Sequence, residues 1–214
     1  MQKGNSVHFR QETHSVDKVY IHLLHYEAFD PNEYLDHLTE QETERYFSFS
    51  HSKRKMEFVA TRILRHRIFG FTHIHYNALG APYIEDEGFI SISHAKGVVG
   101  IAFSKDFPVG LDLEKIDHRL LKLSPKFLSI QEAESLDTSS AIEMTKVWSG
   151  KEVLYKIAGR KGILFSAELH LSSIENNRWN GRIHSGDKIL HTEISIFTLD
   201  DVVVSVNINA LQEE

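Results

Sequence analysis

A chain of 214 residues with 41% hydrophobic, 10% aromatic and 25% charged positions has ordinary globular composition, which sets aside disorder, collagen and coiled coil. It contains no cysteine, so disulfide frameworks, thiolate zinc sites, cysteine nucleophiles and dithiol redox pairs are excluded. The formal net charge of −6 disfavours nucleic-acid binding spread over the whole surface. No run of about 18 apolar residues occurs, so no membrane span is expected. The polar stretch from Met1 to Asp17 lacks an apolar signal core, so secretion is not expected and a cytoplasmic location is.

In chain order, Val19, Ile21 and Leu23 alternate and predict a strand over 18–26. Thr39 and Glu42 have capping-box spacing and predict a helix start. Ser52 is the expected cap of the next helix, over 53–69, whose apolar positions Met56, Val59, Ala60, Ile63, Leu64 and Ile68 recur at helical spacing; Gly70 is the expected stop. Segment 51–67 also carries Lys53, Arg54, Lys55, Arg62, Arg65 and Arg67 against the single acid Glu57. Arg62 and Arg65 lie off the apolar stripe and can face a ligand or solvent. A local cationic strip on an acidic protein suggests one bound anionic ligand; a solvated helix face explains it equally well. Gly80-Ala81-Pro82 reads as a turn. Strands are expected at 89–93 and 98–104 around a loop at 94–97, and at 109–114. Ser129 with Glu132, and Ser140 with Glu143, repeat the capping pattern, the second opening a long helix to about Gly159. Strands follow at 168–172, 181–184, 188–199 and 202–208, with turns at Gly186-Asp187 and Asp200-Asp201. This order predicts an α+β fold of two similar halves, 1–108 and 109–214, sharing a cleft.

Four groups of residues carry candidate chemistry. In Val109-Gly110-Leu111-Asp112-Leu113-Glu114, alternation turns Val109, Leu111 and Leu113 into the core and Asp112 and Glu114 to the other face. Two neighbouring carboxylates repel unless water or a cation screens them, and such hard oxygens suit Mg²⁺. A solvated strand face is the alternative. Gly110 beside them leaves room for something to approach. On the long helix, Trp148, Glu152 and Lys156 share one face. Glu152 can complete a three-carboxylate metal site, and Lys156 can neutralise a phosphate or protonate a leaving group. An ordinary Glu–Lys surface pair accounts for them as well. His94 ends Ile90-Ser91-Ile92-Ser93-His94 where it can meet a phosphate oxygen. His73 and His75 form an H-x-H without further zinc-ligand spacing. Glu132 is already explained by its cap.

In order and combination, Ser-Ile-Ser-His at 91–94, Val-Gly-Leu-Asp-Leu-Glu at 109–114 and Trp-x-x-Lys-Glu-x-x-x-Lys at 148–156 resemble the 4′-phosphopantetheinyl transferases of the larger, monomeric surfactin-synthetase-activator type. The resemblance takes in Arg62, Gly80-Ala81-Pro82, the segment 126–132 and Gly159-Arg160-Lys161-Gly162, about half of the chain. It implies two pseudo-symmetric α+β halves with coenzyme A in the cleft between them. Asp112, Glu114 and Glu152 match Mg²⁺ ligands, Lys156 the lysine at the diphosphate, and Glu132 the carboxylate proposed as general base. Arg62 and His94, assisted by Lys53, match the 3′-phosphate side of coenzyme A; Gly80, Pro82 and Ser93 match the loops around adenine. Ala81 stands where relatives often carry lysine, Val153 replaces a small residue, and the glycine-rich segment is one residue longer than the shortest version. The implied reaction moves phosphopantetheine to a serine of an apo acyl or peptidyl carrier protein, through a monomer. The leucine- and lysine-bearing segment 120–127 is a candidate carrier-docking surface, and a helix with one buried side explains it at least as well. The alternatives are a non-catalytic binder of coenzyme A or carrier protein and a nucleic-acid module using 51–67. Against the second stand the net charge and the lack of interleaved aromatics.

Overall fold

The computed structural model describes residues 9–175 and 177–214. The first eight residues of the polar N-terminal stretch therefore lie outside the described residues. A first sheet is built from β1 (Arg10–Val16), β2 (Val19–His25), β3 (His75–Tyr76), β4 (Pro82–Tyr83), β5 (Phe89–Ala95) and β6 (Val98–Ser104) in the order β1-β2-β6-β5-β4-β3. All pairings are antiparallel. β1 was not anticipated. Its sequence RQETHSV has no apolar alternation because it is an exposed edge strand whose pairing with β2 supplies the order.

Between β2 and β3 lie a 3-10 turn at Pro31–His37, α1 (Glu40–Ser48) and α2 (Ser52–Phe69). The Thr39–Glu42 capping box forms in both directions. Ser52 is not the cap of α2: it is the first helical residue, and His51 occupies the cap position without a side-chain bond. Gly70 ends the helix at φ 71°, the left-handed region a glycine enters without strain. The stripe Val59, Ala60, Ile63 and Leu64 packs with Leu24, Val99 and Ile101. The opposite face does not reach solvent as expected. Arg62 and Arg65 are 3% and 0% exposed, because α1 and the segment after Gly70 cover that side.

The second sheet comprises β7 (Leu111–Lys115), β8 (Leu169–Glu175), β9 (Arg178–Ser185), β10 (Lys188–Leu199) and β11 (Val202–Asn207), ordered β7-β11-β10-β9-β8, with β12 (Gln212–Glu213) beside β10. The turns at Gly186-Asp187 and Asp200-Asp201 fall between strands as expected. Between β7 and β8 run α3 (Arg119–Leu123), α4 (Ile130–Ser135), α5 (Ala141–Ile157) and α6 (Phe165–Glu168). In both sheets the strand preceding the helices, β2 or β7, lies beside the strand closing the sheet, β6 or β11. α5 buries Met144, Val147, Val153 and Leu154 against Leu169, Leu171, Ile194 and Ile196. Each such side chain contributes about 1.5–3 kcal/mol.

The sheets meet at a third core where Ile21, Leu23 and Ala102 pack on Leu111, Leu113, Val204 and Val206. The edge of β7 away from β11 is closed by side chains: Leu111 N–H donates to Ser91 Oγ at 2.9 Å and Leu113 N–H to Ser93 Oγ at 3.1 Å. What approaches Gly110 is α5, for a Cβ there would lie 2.9 Å from the Val153 carbonyl oxygen. Gly110→Ala should push α5 off β7 and cost about 1–3 kcal/mol in urea unfolding. An unchanged midpoint would show that the contact yields freely.

Candidate active site

A cleft of about 620 Å³ opens between the two sheets. The first sheet's side contributes Gly80, Ala81, Pro82 and Phe89, and the second's contributes Tyr155, Lys156, Gly159 and Lys161. Asn77 shapes the rim, its Oδ1 accepting from Leu79 N–H and Ala81 N–H at 2.9 and 3.0 Å. Gly80 takes φ 88° in the turn so formed. Gly80, Pro82 and Lys156 thus share one space. Asn77 and Lys161 were not among the expected site residues. Asn77, three residues before Gly80, is itself a turn signal, since asparagine side chains bond the backbone two residues on.

Behind the cleft, β7 and α5 present the acidic residues. Asp112 is buried. Its Oδ1 accepts from Lys156 Nζ at 3.0 Å and Ser93 Oγ at 3.2 Å, while its Oδ2 is buried without a partner. Glu114 accepts from Trp148 Nε1 at 3.2 Å. The Trp148 ring is fixed by stacking on Phe165, with centroids 5.2 Å apart. Burial pushes the Glu114 carboxyl up to about 7, with the Asp112 and Glu152 charges adding to the shift and the Trp148 bond and Lys156 opposing it. Burial likewise raises Glu152, followed by the charge of Asp112, against Lys156. The three carboxylates therefore feel one another across the β7–α5 junction.

Among the described residues, no three His, Asp or Glu side chains stand as a ready-made metal cage. The donor set nevertheless fits a hard divalent cation. It offers carboxylate oxygens, one of them orphaned, in a place where negative charge is already in excess. Glu114 binds its proton more tightly folded than unfolded. Its contribution to stability is full below the ordinary value of 4.5 and is lost as pH rises through about 7. In chelator, Glu114→Gln should therefore flatten the fall of Tm with pH across that window. Parallel wild-type and variant curves would refute the coupling.

Other expected residues sit elsewhere. Ser93 is not beside the glycine turn: it lies buried on β5, where it bonds Asp112 and closes the edge of β7. His94 is on β5 rather than in a loop. It meets Arg54 Nη1 at 3.0 Å and Glu57 at 3.7 Å, and Lys53 reaches Glu57 at 3.6 Å. Lys53 and His94 thus come together at the N-terminal turn of α2, with Arg54 as an unforeseen third member. Arg62 does not join them. Its Nε donates to Glu42 Oε1 at 3.0 Å, two turns further along α2.

Glu132 is also differently employed. Besides its cap, where it accepts from Ser129 N–H at 2.8 Å, it accepts from Lys151 Nζ at 2.7 Å and Leu171 N–H at 2.8 Å. It is 4% exposed, and both oxygens are occupied by donors from α4, α5 and β8. Lys151, fully buried, also donates to the carbonyls of Phe127 and Phe165. Burial lowers its affinity for a proton, and Glu132 opposes the shift. In segment 120–127, Leu120 and Phe127 are buried, whereas Lys122, Leu123 and Lys126 are exposed.

Fold and site together define a mixed α/β protein in which a lysine lines a cleft between two antiparallel sheets and three acidic residues lie behind it. Residues 108–206 match the family model of the 4′-phosphopantetheinyl transferase superfamily. That stretch holds Asp112, Glu114, Glu132, Lys151, Glu152 and Lys156 and almost the whole circuit from β7 to β11. Comparison with curated proteins finds no match. Among the described residues, no helix is long and apolar enough to cross a membrane.

Proposed function

We propose that the chain transfers the 4′-phosphopantetheine arm of coenzyme A to a serine of an apo acyl or peptidyl carrier protein, releasing 3′,5′-ADP, in a Mg²⁺-dependent reaction. The observation that carries this reading is the Asp112–Lys156 pair at 3.0 Å behind the cleft that Lys156 lines, with Glu114 and Glu152 near enough for the Asp112 charge to raise both, within the stretch that matches the superfamily. On this reading segments 1–108 and 109–214 are pseudo-symmetric halves, supported by the shared placing of the strand before the helices, β2 or β7, beside the strand after them that closes the sheet, β6 or β11. Coenzyme A lies between them, with its adenine near Gly80 and Pro82 and its 3′-phosphate toward Lys53, Arg54 and His94. The chain works as a cytoplasmic monomer of the surfactin-synthetase-activator type.

Asp112, Glu114 and Glu152 would hold Mg²⁺, which when bound neutralises the diphosphate and draws charge from the reacting phosphorus. Ser93 positions Asp112 by its hydrogen bond. Lys156 lines the cleft, with Nζ resting on Asp112 and the Leu111 carbonyl. From there it turns to the departing phosphate and supplies positive charge or a proton. Glu132 was expected to take the serine proton. It is 4% exposed, and donors from three elements surround it without an open approach for a substrate, so we assign it to positioning; the serine proton passes to water as the serine oxygen bonds the phosphorus and the diphosphate P–O bond breaks. Glu132 ties α4, α5 and β8 together and so fixes the helix that carries Glu152. Arg62 is left out of the coenzyme A set because it lies two turns along α2 from Lys53, Arg54 and His94 and does not line the larger cleft. Exposed Lys122, Leu123 and Lys126, with Ile130 76% exposed beside them, offer a basic and apolar surface to an acidic carrier.

The test is incubation with coenzyme A, Mg²⁺ and a panel of apo carriers, read by intact mass. One carrier should gain the mass of a single phosphopantetheine, and chelator should prevent it. Coenzyme A binding without any carrier gaining mass would establish a non-catalytic binder instead.

A further inference from the structure

A second cavity, of about 270 Å³, lies between α1, α2 and the β3–β4 hairpin. Arg45, Arg62, His73, His75, Tyr76 and Tyr83 line it, and Glu42 is the only acid among its lining residues. Both Glu42 oxygens are already taken: Oε1 by Arg62 Nε at 3.0 Å, Oε2 by Arg65 Nη2 at 3.0 Å and Thr39 N–H at 3.1 Å. The remaining partners of Arg65 are the carbonyls of Thr72 and His37. Two buried guanidiniums, permanently charged, thus face one carboxylate. A buried positive charge without a counter-ion is costly in a medium of low dielectric.

The walls are built to present that charge. Arg62 Nη2 donates to the Tyr76 hydroxyl at 3.3 Å, and the guanidinium lies over the Phe58 ring at 3.7 Å. Arg45 lies over the Tyr76 ring at 4.6 Å, which places a third guanidinium at the rim. The His75 ring stacks on Tyr83, with centroids 5.2 Å apart, and His73 is held by Thr39 Oγ1 at 2.9 Å. Burial, and then the neighbouring cations against Glu42, keep His73 below the usual histidine range.

We propose that this cavity binds a small oxyanion, a phosphate or carboxylate group, through Arg62, Arg45, His73 and His75. A planar guanidinium matches either group, and both imidazoles can donate to it. The volume suits one small molecule. The site is separate from the cationic turn at Lys53, Arg54 and His94, and it shares only Tyr83 with the larger cleft. It does not depend on the transferase reading.

The experiment titrates the full chain, without metal, coenzyme A or carrier, with inorganic phosphate in one arm and acetate in the other. The assigned imidazole proton resonances of His73, His75 and His94 are followed throughout. Saturable shifts at His73 and His75 with His94 unmoved are expected, and the tighter arm identifies the oxyanion. Removing Arg62 would strip Glu42 of a buried partner and risk the fold, so the variants are Arg45→Ala and His75→Gln at the accessible rim. Each should weaken binding by about tenfold, as loss of a charge-assisted contact does, with the folded spectrum retained. Shifts confined to His94, displacement of the anion by coenzyme A, or no saturation in either arm would each overturn the proposal.

Discussion

Asp112→Ala is expected to lower holo-carrier formation by about 100-fold or more while the chain stays folded. Asp112 links the charges behind the cleft: it holds Lys156, is held by Ser93, and raises the proton affinity of Glu114 and Glu152. In the metal-free protein its charge adds repulsion, and its buried Oδ2 has no partner. Removing it therefore relieves a strain of like charges, and the partly exposed Lys156 can turn to water. Tm in chelator should hold or rise, whereas turnover with saturating Mg²⁺ should collapse. Such opposition of stability and activity is the mark of a functional rather than a structural carboxylate. Wild-type turnover in the variant would refute the metal assignment.

Lys151→Met should behave in the opposite way, lowering stability by about 3–5 kcal/mol, the usual result of breaking a buried ion pair from one side. For a domain of this size that is a fall in Tm of roughly 6–20 °C. Lys151 is fully buried and donates to Glu132 and to two main-chain carbonyls. Methionine fills similar volume but leaves the Glu132 charge with only two backbone donors. The double variant Lys151→Met, Glu132→Leu should recover part of the loss, because neither charge is then stranded. Strict additivity of the two single losses would show that the pair does not act as a unit. A single Glu132→Gln variant with normal Tm and abolished turnover would restore Glu132 as the base.

Features that depend on nearest neighbours were legible. Thr39–Glu42 and Ser129–Glu132 close their capping boxes because the partners are three residues apart. Leu111 and Leu113 reach the inter-sheet core by strand alternation alone. The common face of Trp148, Glu152 and Lys156 also survives, with Trp148 bonding Glu114 and Lys156 bonding Asp112. Features that depend on a distant partner were misread. Arg62 looked free on a helical projection, yet a glutamate twenty residues earlier buries it. Ser93 looked like part of a ligand loop, and it serves β7 instead. Glu132 looked fully explained by its cap, and Lys151 and Leu171 claim the rest of it.

The longer helices and the core strands, the turn residues, the absence of a cysteine nucleophile and the carboxylates on β7 and α5 follow from the sequence by itself, since period, capping and side-chain chemistry are local properties; the edge strand β1 and the short elements do not. Only the tertiary structure decided which charges meet. It put Asp112, Glu114 and Glu152 within reach of one another's fields, took Glu132 into a buried pair with Lys151, and turned Arg62 from the cationic strip to Glu42. The reason is that an ionised side chain enters a low-dielectric interior only with a partner, and that partner is chosen by how the sheets and helices pack.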